Sequence, residues 1–322
     1  MELPFPQGVV VISIDTEQRW GYLDLLSAAQ FEARFPNTEE AHARLLERLC
    51  AAGVGATWFV VGGLALRGRA DALDRPAFRF ASRRFPGAGD GPLWYNRPFL
   101  ESLRDASPAQ EIGLHGGLVH LVWDRAGITR EVAARELSDG VRALASLGGE
   151  PRAFSYPRNA EAFHDLLPRH GLCSFRGGPP SLASRLGPSL PGALLRAFDE
   201  LRRGTPPPVW PSEYLPGLWN VPSSMFLYPI GPARARFLGL GSRVERFRRG
   251  VEAAARHRAV FHFCLHPENL AESPCGFSVL DGILETLVRA RERGDVEVIT
   301  MTGAVARMER KQCYARKEEN HS

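Results

Sequence analysis

The chain has 322 residues, 44% apolar and 24% charged, with a formal net charge of +4. That length can bury a large core, and so small a net charge argues against a nucleic-acid partner. No apolar run is long enough to span a bilayer, the opening MELPFPQG lacks a basic-then-apolar leader, and the five scattered cysteines include no CxxC pair, so a cytoplasmic protein without disulfides is expected.

Read in chain order, strands alternate with helices. Val9 to Ile14 form an apolar run that reads as a buried strand, and it ends in two carboxylates, Asp15 and Glu17. TEEAHARLLERLCAAG has helical spacing with Gly53 as its stop, and ATWFVVGGLAL reads as a second buried strand. An Arg-, Gly- and Pro-rich insertion covers about residues 67–96. RPFLESLRDAS is a helix leading into the strand EIGLHG, followed by the helix REVAARELSDGVRALASLG and the strand AFSYP. The helix AEAFHDLLPRHG and the strand CSFRG come next. A second, proline-rich insertion at about 179–215 carries one amphipathic piece, LPGALLRAFDELRRG, which reads as a lid helix or, alternatively, a peripheral membrane contact. The rhythm resumes with the strand LWNVPSSMFLY, the helix VERFRRGVEAAARH, the strand AVFHFCLHP, the helix SVLDGILETLVRARERG and the strand VEVITM.

Strands separated by helices imply parallel pairing through crossover connections. Seven or eight of them predict one α/β domain over residues 1–310, a distorted (β/α) barrel, with a polar, disordered tail at 311–322. In such barrels functional groups gather at the C-terminal ends of the strands. There the chain offers Asp15 and Glu17 after the first strand, and His115 and His120 after the third. Tyr156-Pro157-Arg158-Asn159 follows the fourth, and His266 the late strand. These side chains include carboxylate, imidazole and guanidinium groups, which bind a divalent metal and move protons. His262, inside an apolar strand, reads instead as a satisfied core histidine. Trp20, Trp94, Trp123 and Trp219 are candidates for stacking on a sugar ring. The arginines at 234, 236, 243, 246, 248 and 249 read as a solvated helix face, with phosphate or uronate recognition as the alternative.

SIDTE, ATWFVVG, EIGLHGGLVH, FSYPRN and FHFCLHPENL occur in an order that resembles the polysaccharide deacetylase family, the NodB-type carbohydrate esterases, from about Val9 to Met308. The resemblance implies a hydrolase of linear amide bonds, removing N-acetyl or another N-acyl group from an amino sugar or glycoconjugate precursor. It implies Asp15 as catalytic base, His266 as general acid and Arg158 as the group that tunes Asp15. Glu17, His115 and His120 would hold one divalent ion, zinc first, with cobalt or nickel as alternatives. Trp20, Tyr156 and Asn159 are the substrate-contact candidates. Two departures stand out: the carboxylates are spaced Asp-Thr-Glu rather than adjacent, and the histidines lie five apart rather than four. On an ideal helix the extra residue turns the second histidine about 100° further round, so Gly116 and Gly117 must supply an irregular turn. The alternatives are a deformylase or metal-independent amidase on the same scaffold, and a non-catalytic carbohydrate-binding protein.

Overall fold

A computed structural model describes residues 5–178, 204–228, 241–272 and 275–319. Its strands are β1 (Gly8–Thr16), β2 (Thr57–Val60), β3 (Glu111–His115), β4 (Ala153–Ser155), β5 (Ser174–Arg176), β6 (Ser212–Leu215), β7 (Leu218–Asn220), β8 (Met225–Leu227), β9 (Val260–Leu265) and β10 (Val296–Val298). β1 lies between β2 and β9, all parallel, and β2 to β5 continue outward in parallel order. β6 is the exception, pairing antiparallel with β7, and β10 pairs with the start of β1.

The stretch read as one strand, LWNVPSSMFLY, is broken into β7 and β8 around Pro222, which has no N–H to give a ladder. Its first half pairs with β5 and its second half with β9. Between them the Ser223 amide donates to the Gly177 carbonyl at 3.0 Å and the Ser224 amide to the His262 carbonyl at 2.8 Å. The interrupted strand therefore closes a ring that runs β1-β2-β3-β4-β5-β7/β8-β9, the distorted barrel expected from the alternation.

Alternation along the strands sorts the side chains. On β1, Val10, Ile12 and Ile14 join the large apolar layer under the helices, whereas Val9 and Val11 join the barrel interior. On β9, Phe261, Phe263 and Leu265 face the helices and Val260 the interior. The same period aims Ser13 and Asp15 of β1, with His262 and Cys264 of β9 and His266 just beyond it, at the upper interior. The lower end is filled by Phe5 and by Met301, Ala304 and Val305 of the last helix, whose Met301 amide bonds Thr57 Oγ1 at 2.9 Å. That helix spans Met301–Glu319, so the backbone is helical through most of the stretch expected to be a disordered tail.

The helix Thr38–Ala51 buries Ala41, His42, Leu45, Leu46 and Leu49, a stripe with helical spacing, and Gly53 ends it at φ 63°. The first insertion carries two helices, Arg69–Leu73 and Pro76–Arg84. LPGALLRAFDELRRG lies outside the described residues except for its last glycine, as do Arg234 and Arg236. Among the described residues no helix is long and apolar enough to cross a membrane.

Candidate active site

Asp15, at the end of β1, is 2% exposed and sits opposite Arg176, the last residue of β5. Arg176 Nη1 donates to Asp15 Oδ1 at 2.7 Å and Nη2 to Oδ2 at 2.6 Å, a two-pronged pair with both side chains 4% exposed. Burial opposes ionisation of Asp15, but Arg176, His115 and His266 hold its carboxyl well below the usual carboxylate range.

The guanidinium is itself anchored from beneath. Its Nη1 also donates to Ser13 Oγ at 3.1 Å, and its plane lies over the Phe59 ring. His262 bonds the Val221 carbonyl through Nδ1 at 3.2 Å and Ser13 Oγ through Nε2 at 2.9 Å. A carbonyl can only accept, so Nδ1 carries the proton and Nε2 accepts from the Ser13 hydroxyl. Burial and the nearby Arg176 push His262 down to about 3, which keeps it neutral. It is the satisfied core histidine that its apolar strand suggests.

Glu17 begins the short turn Gln18–Tyr22, where Gly21 leaves room for its carboxylate: a Cβ there would lie 1.8 Å from Glu17 Oε2. His115 Nε2 is 2.6 Å and His120 Nε2 3.3 Å from Glu17 Oε1. The five-residue spacing is absorbed as the glycines allow. Gly116 takes φ 66° and His120 itself φ 61°, so the chain leaves β3 in a left-handed step and returns the second imidazole beside the first. The loop is held by Gly62 and Gly63, whose amides bond the Gly117 and Leu118 carbonyls at 2.8 Å each. From the helix Arg130–Ala145, buried Glu136 accepts the Leu121 amide at 2.7 Å and Trp123 Nε1–H at 2.6 Å.

These three side chains fit a divalent cation. His115 Nδ1 bonds the Ser155 carbonyl at 2.9 Å, so this nitrogen is the donor and the Nε2 lone pair is turned toward Glu17. His120 Nε2 is buried and, among the described residues, lacks a well-aligned hydrogen bond, even at its short distance from Glu17. Two imidazole nitrogens and a carboxylate oxygen converging within 4.8 Å are a donor set that a zinc-like ion satisfies.

His266 follows β9. Its Nε2 is 3.2 Å from Asp15 Oδ2 and its Nδ1 3.9 Å from Glu17 Oε2. Burial disfavours the imidazolium, but the carboxylates of Glu17 and Asp15 outweigh it and raise His266 to about 9. Base candidate, ligand candidates and acid candidate thus meet at one end of a cavity of about 450 Å³. Its walls include Tyr22, Leu25, Met225 and Phe226.

Four sequence expectations are corrected. Arg158 does not reach Asp15: in the turn after Pro157 it takes φ 57° and its guanidinium pairs with Asp24 at the cavity rim. Arg176 occupies the place given to Arg158, and the signal was an arginine ending the short strand SFR. Trp20 is fully buried, packs edge-on against Trp94 and donates its indole N–H to the Trp94 carbonyl at 2.6 Å, so it fastens the first insertion and faces no substrate. Tyr156 is fully buried among Trp123, Phe154 and Phe175. Trp94, Trp123 and Trp219 are core residues too, so the aromatic residues at the cavity are Tyr22, Phe226 and Tyr228. Asn159 does line the cavity.

No family model and no curated protein matches the sequence. Solved structures do match the fold. A Mycobacterium smegmatis protein provisionally named a polysaccharide deacetylase superposes with a TM-score of 0.61 at 18% identity, over 97% of this chain and 94% of that one. PuuE allantoinase gives 0.56 at 12% identity over 93% and 89%. A 4-alpha-glucanotransferase from Thermococcus litoralis gives 0.56 at 13% identity, over 93% of this chain but 40% of that one. The chain has the fold these proteins share.

Proposed function

We propose that this protein is a metal-dependent hydrolase that removes an N-acetyl or other N-acyl group from an amino sugar or glycoconjugate precursor, giving acetate, or the corresponding acid, and a free amine. The observation that carries this reading is the convergence of Glu17, His115 and His120 beside the Asp15–Arg176 pair and His266 at one cavity end. The fold shared with a provisionally named polysaccharide deacetylase agrees with it.

Glu17, His115 and His120 would hold the ion, zinc, cobalt or nickel. Once bound, it supplies Lewis-acid polarisation of the acyl carbonyl and acidifies water. The protein's own groups do the rest. Asp15, kept ionised by Arg176, takes the proton of the attacking water. His266, 3.2 Å from Asp15, faces the same space and, as its imidazolium, delivers a proton to the departing nitrogen. Without that proton the tetrahedral adduct collapses back to the amide. Tyr22, Leu25, Met225 and Phe226 exclude bulk water along the cavity and hold the acyl-bearing ring or chain.

The test pairs elemental analysis of freshly purified protein with acetate and formate release from a panel of N-acetyl and N-formyl amino sugars. The expected result is about one equivalent of divalent metal per chain. Acetate release should stop with a strong chelator and return with added zinc, cobalt or nickel. Turnover that persists in metal-free protein would overturn the proposal.

A further inference from the structure

We infer that the substrate carries an anionic group, a phosphate or a carboxylate, and that Arg246 and Arg158 receive it at the cavity mouth; this rests on the hydrolase reading above. Outside the catalytic cluster, the charged side chains lining the cavity are Arg158 and Arg246, and no lining carboxylate accompanies them among the described residues. Arg158 pairs with Asp24, but Asp24 also accepts from Arg125, so one carboxylate serves two guanidiniums and one positive charge stays uncompensated. Arg246, on the helix Gly241–His257, has no ion pair among the described residues. Its Nε donates only to the Gly204 carbonyl, at 3.4 Å. The catalytic carboxylates do not offset these charges, since Asp15 is matched by Arg176 and Glu17 would be committed, with His115 and His120, to the ion.

The backbone supplies a second observation. Arg158 and Asn159 are consecutive non-glycine residues at φ 57° and 54°, a sparsely populated conformation that persists where surroundings impose it, often at ligand sites. The turn closes through Asn159 N to the Tyr156 carbonyl at 2.9 Å and Ala160 N to the Pro157 carbonyl at 3.1 Å. Its effect is to set both side chains on the cavity wall. The Asn159 carboxamide is exposed there with no hydrogen bond among the described residues, an available donor next to the guanidinium. Guanidinium groups and an amide donor around an opening with apolar walls match an anion attached to a less polar body.

The experiment titrates zinc-loaded protein, and its Arg246→Gln and Arg158→Gln variants, with three compounds that share one acylated sugar. These are N-acetylglucosamine, its 1-phosphate and N-acetylmuramic acid, which separate neutral, phosphate and carboxylate forms. At least one anionic form should bind about tenfold or more tighter than the neutral sugar. The preference should shrink with rising salt and fall to about threefold or less in Arg246→Gln. Equal binding of all three by the wild type would overturn the inference, as would a preference surviving in both variants. Metal content and acetate release measured on the same samples keep the two readings apart: a metal-loaded, active enzyme without anion preference sinks only this one.

Discussion

Replacing Arg176 with methionine keeps the aliphatic stem and removes the cation that faces Asp15. Both side chains are 4% exposed, so the variant strands a carboxylate where water cannot solvate it. Breaking a buried pair from one side costs about 3–5 kcal/mol. At about 2 °C per kcal/mol, the low end because the chain is long, the melting temperature should fall by about 6–10 °C. Arg158→Met is the internal control. Its pair with Asp24 is more exposed, at 25% and 17%, and Arg125 stays on that carboxylate, so a cost of about 1 kcal/mol or less is expected. Because most of the Arg176→Met cost is the orphaned charge, Asp15→Asn/Arg176→Met should melt above Arg176→Met alone. The sign with pH follows from the depressed Asp15 carboxyl. The pair's contribution is complete above the unfolded value near 3.9 and disappears only as pH falls through the much lower folded value. Thermal melts of the wild type and the three variants at pH 7 decide the matter. An Arg176→Met melting point within about 2 °C of wild type, or a larger loss from Arg158→Met, would refute the assignment of Arg176 as Asp15's partner.

Asp15→Asn should lower turnover by a factor of about 10² or more while metal content stays at the wild-type level; metal loss would mean that Asp15 ligates and the roles of Asp15 and Glu17 need exchanging. In metal-free protein, His266 should titrate near 9 by imidazole NMR. Its stabilising charge is then complete below about 6.5 and lost as pH rises through about 9. Glu17→Gln should move that titration downward, and an unmoved value would deny the coupling. Glu136→Gln turns an amide N–H₂ toward either Trp123 Nε1–H or the Leu121 amide, leaving a buried donor unmatched beside the His120 loop. Metal affinity, read by competition with a chelator, should weaken by about tenfold, the low end for partners that support ligands. Unchanged affinity would show the loop is held without it.

The ring of strands was legible because β1 and β9 are buried on both sides, so each prints a near-continuous apolar run, the mark of a parallel, covered strand. The polar ends of those runs located Asp15, Glu17 and His266 for the same reason, and His115 closes the shorter β3. What failed was anything that depended on which way a turn points. Arg158 and Tyr156 lie two residues apart in FSYPRN, yet the left-handed step after Pro157 sends one to the rim while the other stays in the core. Trp20 follows Glu17 by three residues and faces the opposite direction, into Trp94 and Phe78. Arg176 was hidden by brevity, since a three-residue strand shows almost no period. The helical arithmetic that turns His120 away does not govern a loop, and two positive φ angles bring it back beside His115.

The interrupted strand between β5 and β9 has an evolutionary corollary. Ser223, Ser224, Met225, Phe226 and Tyr228 of that segment contribute one wall of the cavity, while Glu17, His115 and His120 come from the β1 and β3 side of the ring. A mutation on this wall can therefore reshape which molecules are admitted without touching Glu17, His115 or His120, whereas Phe226, edge-on to His266, ties the same wall to the acid candidate.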